Sequence, residues 1–175
     1  MTIYQRILVP IDGSDTSAIG LQEAIRLAKL TGGKLRVMHA IDDLSFALAM
    51  DAYAGMPGQW MDELRQEAHK LLAQAVGTAA EAGVPAESVL RERFDGKIVD
   101  AVVAEATSWP ADLIVLGTHG RRGLSRLMMG SDAESILRMA PVPVLLVRPP
   151  AEAAPQEKPA GVKHVSLVTG ALKIE

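Results

Sequence analysis

The chain reads as an α/β protein built on a doubly wound, five-stranded parallel sheet of Rossmann-like or flavodoxin-like type, strand order 3-2-1-4-5. Three features lead there. Five short apolar runs have the character of buried strands, and the stretches between them carry helical periodicity. Alternation of strand and helix calls for a mostly parallel sheet with helices on both faces. Right-handed crossovers then leave few strand orders open.

The first strand is "RILVPI" at 6–11, and the helix after it places Ile19, Ala24, Leu27, Ala28 and Leu30 toward one side before "TGG" closes it. The second strand is "KLRVMHAI" at 34–41. After Gly58, Met61, Leu64, Ala68, Leu71, Leu72, Ala75 and Ala79 recur at helical steps up to "EAGVP". "SVLRERF" at 88–94 is the third strand, and a helix over about 96–107 carries Ile98, Val99, Val102, Val103 and Ala106. "DLIVLGT" at 112–118 is the fourth strand, a short helix covers about 132–139, and "PVLLVR" at 143–148 is the fifth strand. Residues 42–58 form a long excursion over the carboxyl edge, read as a lid. Residues 1–149 make one domain and 150–175 a linker and tail, with the Pro/Ala/Glu-rich stretch 149–161 leading to "VKHVSLVTGALKIE". Its residues 162–169 have the alternation of a strand that adds to the dimer partner or a neighbouring sheet edge, and a disordered tail is the equal alternative.

Bulk properties narrow the function. The 175 residues are 49% hydrophobic and 22% charged, with a net charge of −3, so no global positive field attracts a nucleic acid. Two each of Trp, Tyr and Phe supply no base-stacking platform. There is no cysteine, which removes disulfides, thiolate nucleophiles and Cys-type zinc sites. No apolar run reaches the ~18 residues that span a bilayer. The start "MTIYQRILVPID" lacks an apolar signal region, so no membrane partner and a cytoplasmic address are expected.

In the order 3-2-1-4-5 the winding reverses between the first and fourth strands, and ligands of open α/β sheets bind outside the strand carboxyl ends at that point. Asp12 follows the first strand and Gly117 the fourth, so both reach one crevice. There "LGTHGRRGLSRLMMGSDAESIL", at 116–137, spaces Gly117, Gly120, Gly130 and Ser131 as G-x2-G-x9-G-S. Glycine loops entering a helix N-terminus present N–H groups and the positive end of the helix dipole to phosphates. Ser131 is expected to cap the last helix, and Arg121 and Arg122 to add charge from the loop. A tight turn followed by an ordinary cap accounts for the same residues. Neither G-x4-G-K-[ST] nor G-x-G-x-x-G after the first strand occurs, which disfavours P-loop NTPases and dinucleotide dehydrogenases.

This motif resembles the ATP-binding signature of the universal stress protein family. "ILVPIDGSDTSAIGLQEAIRLA", "RVMHAID" and "ADLIVLGTHGRRGLSRLMMGSDAESILRMAPVPVLLVRP" are similar to other parts of that family, over roughly residues 4–149. The resemblance implies an ATP-binding, nucleotide-dependent regulatory protein of the stress response, acting as a homodimer through the strand at 143–148. It implies Pro10 and Asp12 at the end of the first strand, with Asp12 at the ribose or base, and Ala40 offering backbone groups to adenine. Leu116 and Gly117 would wall the nucleoside, while Gly120, Arg121 and Arg122 meet the phosphates. Gly130, Ser131, Asp132 and Ala133 would complete the phosphate side. Asp132 and Ala133 depart from the family pattern, and an acidic Asp132 either repels a triphosphate or helps hold Mg²⁺. A slow ATPase or autophosphorylating enzyme and a cyclic-nucleotide-binding variant are the alternatives. No catalytic base is evident, and no metal site is expected beyond Mg²⁺ on ATP.

His39 reads as a packed or turn-bonded histidine, and His119 either as a phosphate contact or as a solvated loop residue. Ser14, Asp15, Thr16 and Ser17 read as helix capping rather than catalysis. Of Met128 and Met129, one packs in the core and the other lines the pocket.

Overall fold

The computed structural model describes residues 3–41, 59–92, 97–118 and 130–148. Along the chain these form β1 (Arg6–Pro10), α1 (Asp15–Thr31), β2 (Lys34–Ile41), α2 (Gln59–Glu81), β3 (Ala86–Glu92), α3 (Ile98–Ser108), β4 (Leu113–Gly117), α4 (Ser131–Met139) and β5 (Val144–Val147). The five strands lie in the order β3-β2-β1-β4-β5 and every neighbouring pair is parallel, as the sequence predicts. Residues 42–58, the tail from 149 onward, and Gly120, Arg121, Arg122, His119, Met128 and Met129 lie outside the described residues. Among the described residues no helix is long and apolar enough to cross a membrane.

The strands read as continuous apolar runs because both sheet faces are covered. Ile7, Val9, Leu35, Val37, Leu113 and Val115 pack on one face with Leu21, Ala24 and Ala28 of α1 and Leu72, Ala75 and Ala79 of α2. Leu8, Met38, Ile114 and Leu116 pack on the other with Val99, Val102 and Ala106 of α3 and Ile136 of α4. Burying one such side chain is worth about 1.5–3 kcal/mol, so this alternation dominates the choice of register.

Helix ends follow local chemistry. Ser14 caps α1, its side chain accepting from the Ser17 N–H, and Gly32 closes the helix in a left-handed conformation. Three expectations need correction. Leu30, placed in the buried stripe of α1, is 84% exposed. It stands nine residues after buried Leu21, two and a half helical turns, and so faces the opposite side. The third strand begins at Ala86 rather than 88. Ser131 is not the cap of α4: Gly130 occupies that position, and Ser131 is the first helical residue.

Candidate functional site

Side chains that alternate along a strand decide which side of the crevice each residue serves. Ala40 and Leu116 lie on the α3/α4 face, and Pro10, two residues beyond Leu8, shares it. The N–H of Ile11 donates to the Met38 carbonyl at 2.8 Å, so the peptide groups of Met38 point toward β1. By the same alternation the N–H and C=O of Ala40 point toward β1 as well, above the end of its ladder at Pro10. Backbone groups aimed past a strand end are suited to the edge of a planar ligand.

Asp12 turns the chain from β1 into α1. Its Oδ1 accepts from the Ser14 N–H at 3.0 Å and from the Ser14 hydroxyl at 2.6 Å. Ser14 Oγ in turn accepts from the Ser17 N–H at 3.2 Å, while the Ser17 hydroxyl donates to the Ser14 carbonyl at 2.9 Å. The carboxylate is therefore held in an Asx-turn at the crevice. The ring of buried His39 lies against the same turn, with Nδ1 2.8 Å from the Ile11 carbonyl oxygen. Its reading as a turn-bonded histidine is correct.

Gly117 is in contact with α1. A β-carbon there would stand 2.5 Å from the Thr16 carbonyl oxygen and 3.0 Å from the Ser17 nitrogen. Gly20 is the matching absence on the helix: its β-carbon would lie 3.1 Å from the Gly117 nitrogen. The two glycines let the first turns of α1 rest on the end of β4, which locks the Asp12 turn against the start of the glycine loop. The sequence reading missed Gly20, whose signal is a lone glycine inside a strong helix pattern.

The far end of that loop returns to β4. Gly130 N–H donates to the Thr118 carbonyl at 3.0 Å, and Thr118 N–H donates to the Val147 carbonyl at 3.0 Å. Gly130 then caps α4 at φ −63°, with no side-chain hydrogen bond to the helix. Its carbonyl accepts from the Glu134 N–H at 3.0 Å, which leaves the N–H groups of Ser131, Asp132 and Ala133 in the first turn without an acceptor inside the helix. Ala133 is buried. This helix end suits an anion through its N–H groups and dipole, although Asp132 and Glu134 bring negative charge to the same turn. Among the described residues no group of three His, Cys, Asp or Glu side chains could hold a metal ion.

A second concavity lies on the α1/α2 face, between Gly13, His39 and Ile41 and the Leu64, Ala68 and Leu71 side of α2, with Glu67 at its edge. It is separated from Pro10, Ala40 and Leu116 by the sheet itself.

Residues 3–148 match the family model described as the universal stress protein family. The chain belongs to that family. Among curated relatives, a universal stress protein of Methanocaldococcus jannaschii is 32% identical over 153 residues, covering 85% of this chain and 84% of its own. Universal stress protein YxiE of Bacillus subtilis is 32% identical over 151 residues, covering 83% of this chain and all of its own. Among solved structures, a universal stress protein of Archaeoglobus fulgidus in complex with dAMP aligns with a TM-score of 0.59 at 26% identity over 82% of this chain and 98% of its own. A universal stress protein in complex with cAMP aligns with a TM-score of 0.58 at 26% identity over 83% and 98%. UspA of Lactobacillus plantarum, TM-score 0.70 at 24% identity over 85% and 100%, shares the fold.

Proposed function

We propose that this family member binds an adenine nucleotide, ATP carried with Mg²⁺, in the crevice between the ends of β1 and β4, and acts as a nucleotide-dependent homodimeric regulator. The observation that carries this is the α4 N-terminus, capped by a glycine without a side-chain partner and tied to the end of β4. In this reading Pro10 and Leu116 flank the nucleoside, Ala40 meets the adenine edge, and Asp12 meets the ribose. Gly117 walls the nucleoside, Gly120 leaves room for the phosphates, Arg121 and Arg122 neutralise them, and Gly130, Ser131, Asp132 and Ala133 receive them. As no His, Cys, Asp or Glu cluster among the described residues could cage a cation, Mg²⁺ would ride on the phosphate oxygens, with Asp132 at most one ligand.

The dAMP and cAMP complexes of the two relatives support an adenine nucleotide and make cAMP a rival to ATP. Binding rather than turnover is favoured because Asp12 uses Oδ1 to hold the Ser14 turn, a cap's role rather than that of a water-orienting base. Mass spectrometry of small molecules released from freshly purified protein, followed by calorimetry with ATP, cAMP and dAMP, tests the proposal. Micromolar ATP binding supports it, preference for cAMP replaces ATP with the cyclic nucleotide, and no binding of any of the three overturns it.

Gly130→Val is the specific probe of the cradle. The backbone at φ −63°, ψ 144° accepts valine without conformational strain, and a branched side chain at the helix cap would crowd an anion seated there. Loss of one charge-assisted contact lowers ATP affinity about 10- to 100-fold. Unchanged affinity removes the cradle. Asp132→Asn separates the two roles of that carboxylate: tighter Mg²⁺-free binding marks repulsion, and weaker Mg²⁺-dependent binding marks metal support.

A further inference from the structure

We propose that the peptide groups on either side of Thr118 couple the nucleotide seat to the β5 edge, so that nucleotide binding and pairing with a second copy of this chain strengthen one another. This rests on the nucleotide site and the homodimer proposed above. Thr118 follows Gly117 at the end of β4 and makes two backbone hydrogen bonds in different directions. Its N–H donates to the Val147 carbonyl at 3.0 Å, one step past the last register pair, Gly117 with Val147. Its carbonyl accepts from the Gly130 N–H at 3.0 Å. Adjacent planar peptides turn only about the φ and ψ of the residue between them, so the two bonds constrain each other. One end of this link is the last rung between β4 and β5. The other is the cap of α4, directly before the N–H groups of Ser131, Asp132 and Ala133.

β5 is the element that such a link can bias. It is four residues long, stands at one end of the sheet, and among the described residues takes its ladder from β4 alone. None of its side chains is fully buried. A short strand held from one side opens locally more readily than the strands inside the sheet. An anion received at the α4 N-terminus restrains Gly130, and through Thr118 it restrains the Val147 rung. An ordered edge then meets a partner strand without the entropy cost of ordering it during pairing. The reverse follows by linkage: a partner on β5 holds Val147, hence Gly130, and presents the α4 N–H groups ready for phosphate.

The backbone of Gly130 makes the link testable. Its φ of −63° is the value a proline ring fixes, so Gly130→Pro keeps the conformation and removes the N–H given to Thr118. Gly130→Ala adds a β-carbon and keeps that N–H. Sedimentation with and without saturating ATP gives a ratio of dimer dissociation constants, each variant read against its own ATP-free value. With ATP the unmodified protein and Gly130→Ala should dimerise about fivefold or more tightly, with slower exchange of the Thr118 and Val147 amides. In Gly130→Pro the ATP effect should vanish. Leu145→Glu is the reciprocal arm: on the exposed β5 edge it blocks pairing, and the resulting monomer should bind ATP more weakly by the same factor. No ATP effect on dimerisation of the unmodified protein overturns the proposal, as does an undiminished effect in ATP-bound Gly130→Pro. If Gly130→Pro fails to fold or to take up ATP, Leu145→Glu decides, and ATP affinity equal to that of the unmodified dimer overturns the coupling. Absence of ATP binding removes the nucleotide reading, and a monomer at every concentration removes the dimer, each taking the coupling with it. Binding and dimerisation that are both present but independent remove the coupling alone.

Discussion

At Gly117 the atom that comes closest to the missing side chain is the Thr16 carbonyl oxygen, at a distance that no β-carbon tolerates. Backbone lies on both sides of that contact, so neither partner can swing away. Gly117→Ala should therefore lower stability by about 1–3 kcal/mol through forced separation of α1 and β4. Urea denaturation with an unchanged midpoint would contradict it. The same substitution would weaken nucleotide binding for a reason unconnected with phosphate, so Gly130 is the cleaner probe. Ser14→Ala removes the α1 cap and a donor to Asp12, with an expected loss of about 1 kcal/mol. Both positions show what a sequence can and cannot convey. The Ser14 cap was legible because capping is local chemistry within four residues. Gly117 announced a close approach but not by what, since Thr16 is a hundred residues away and only the fold brings it near. Likewise the spacing marked Gly130 and Ser131 as a helix start, yet which of them caps depends on the backbone, and the glycine does.

Among the elements, β3 shows how an edge strand is held. Its last residues, Arg91 and Glu92, turn to opposite faces, and each is tied to a helix. Arg91 donates through Nε to Glu105 of α3 at 2.9 Å and through Nη2 to the same oxygen, while Glu92 accepts from Arg65 of α2 at 2.8 Å. Glu105 is fully buried and also receives Arg36 of β2 at 2.7 Å, whose guanidinium stacks 4.7 Å from the Trp109 ring centroid. The two clips differ in worth. Arg65–Glu92 is a partly exposed, solvent-screened pair and contributes little. Removing Glu105 leaves Arg36, whose Nε already lacks a partner, and Arg91 without their shared carboxylate. Glu105→Leu should cost about 3 kcal/mol or more, measured by denaturant unfolding, against a much smaller loss in Arg65→Gln. Equal losses would reverse this ranking. The weaker clip is itself pH-dependent. The Arg65 guanidinium holds the Glu92 carboxyl below its ordinary value against the opposing effect of burial, so its contribution is present above the ordinary glutamate range. It fades as pH falls through the folded value, and Arg65→Gln should flatten the acid limb of the stability curve there. The apolar periodicity placed α3 correctly but passed over Glu105, three residues after Val102 and so on the same buried stripe. Arg36, alternating with Leu35 and Val37 inside β2, was its visible counterpart. A charge at a core position of each of two elements is the signal that pairs them.

For the whole molecule, the two ends of the sheet are unlike. The β3 edge exposes Glu87, Ser88, Arg91 and Glu92, side chains that discourage another strand. The β5 edge carries Val144, Leu145, Leu146 and Val147, with Leu145 36% exposed, and α4 before it exposes Leu137 at 45% and Met139 at 52%. Pro141 and Pro143 limit any pairing to a short stretch, which favours one closed two-fold contact over an open fibre. This asymmetry supports the proposed homodimer through residues 143–148, and a charge at its centre is the direct test. Leu145→Glu should turn a dimer into a monomer in sedimentation while leaving the unfolding midpoint of the protomer within about 1 kcal/mol, since Leu145 is not enclosed by the core. The tail gives the complementary experiment. Among the described residues both core clusters draw on positions between Tyr4 and Val147 and form a complete two-faced core, so deleting 150–175 should leave the domain folded and its nucleotide affinity unchanged. A strand at 162–169 added to a sheet edge would appear as weaker dimerisation, or as faster exchange of β3 or β5 amides, in the truncated protein. Identical sedimentation and exchange in the two forms would exclude edge addition by the tail, leaving the β5 contact to be judged by Leu145→Glu alone.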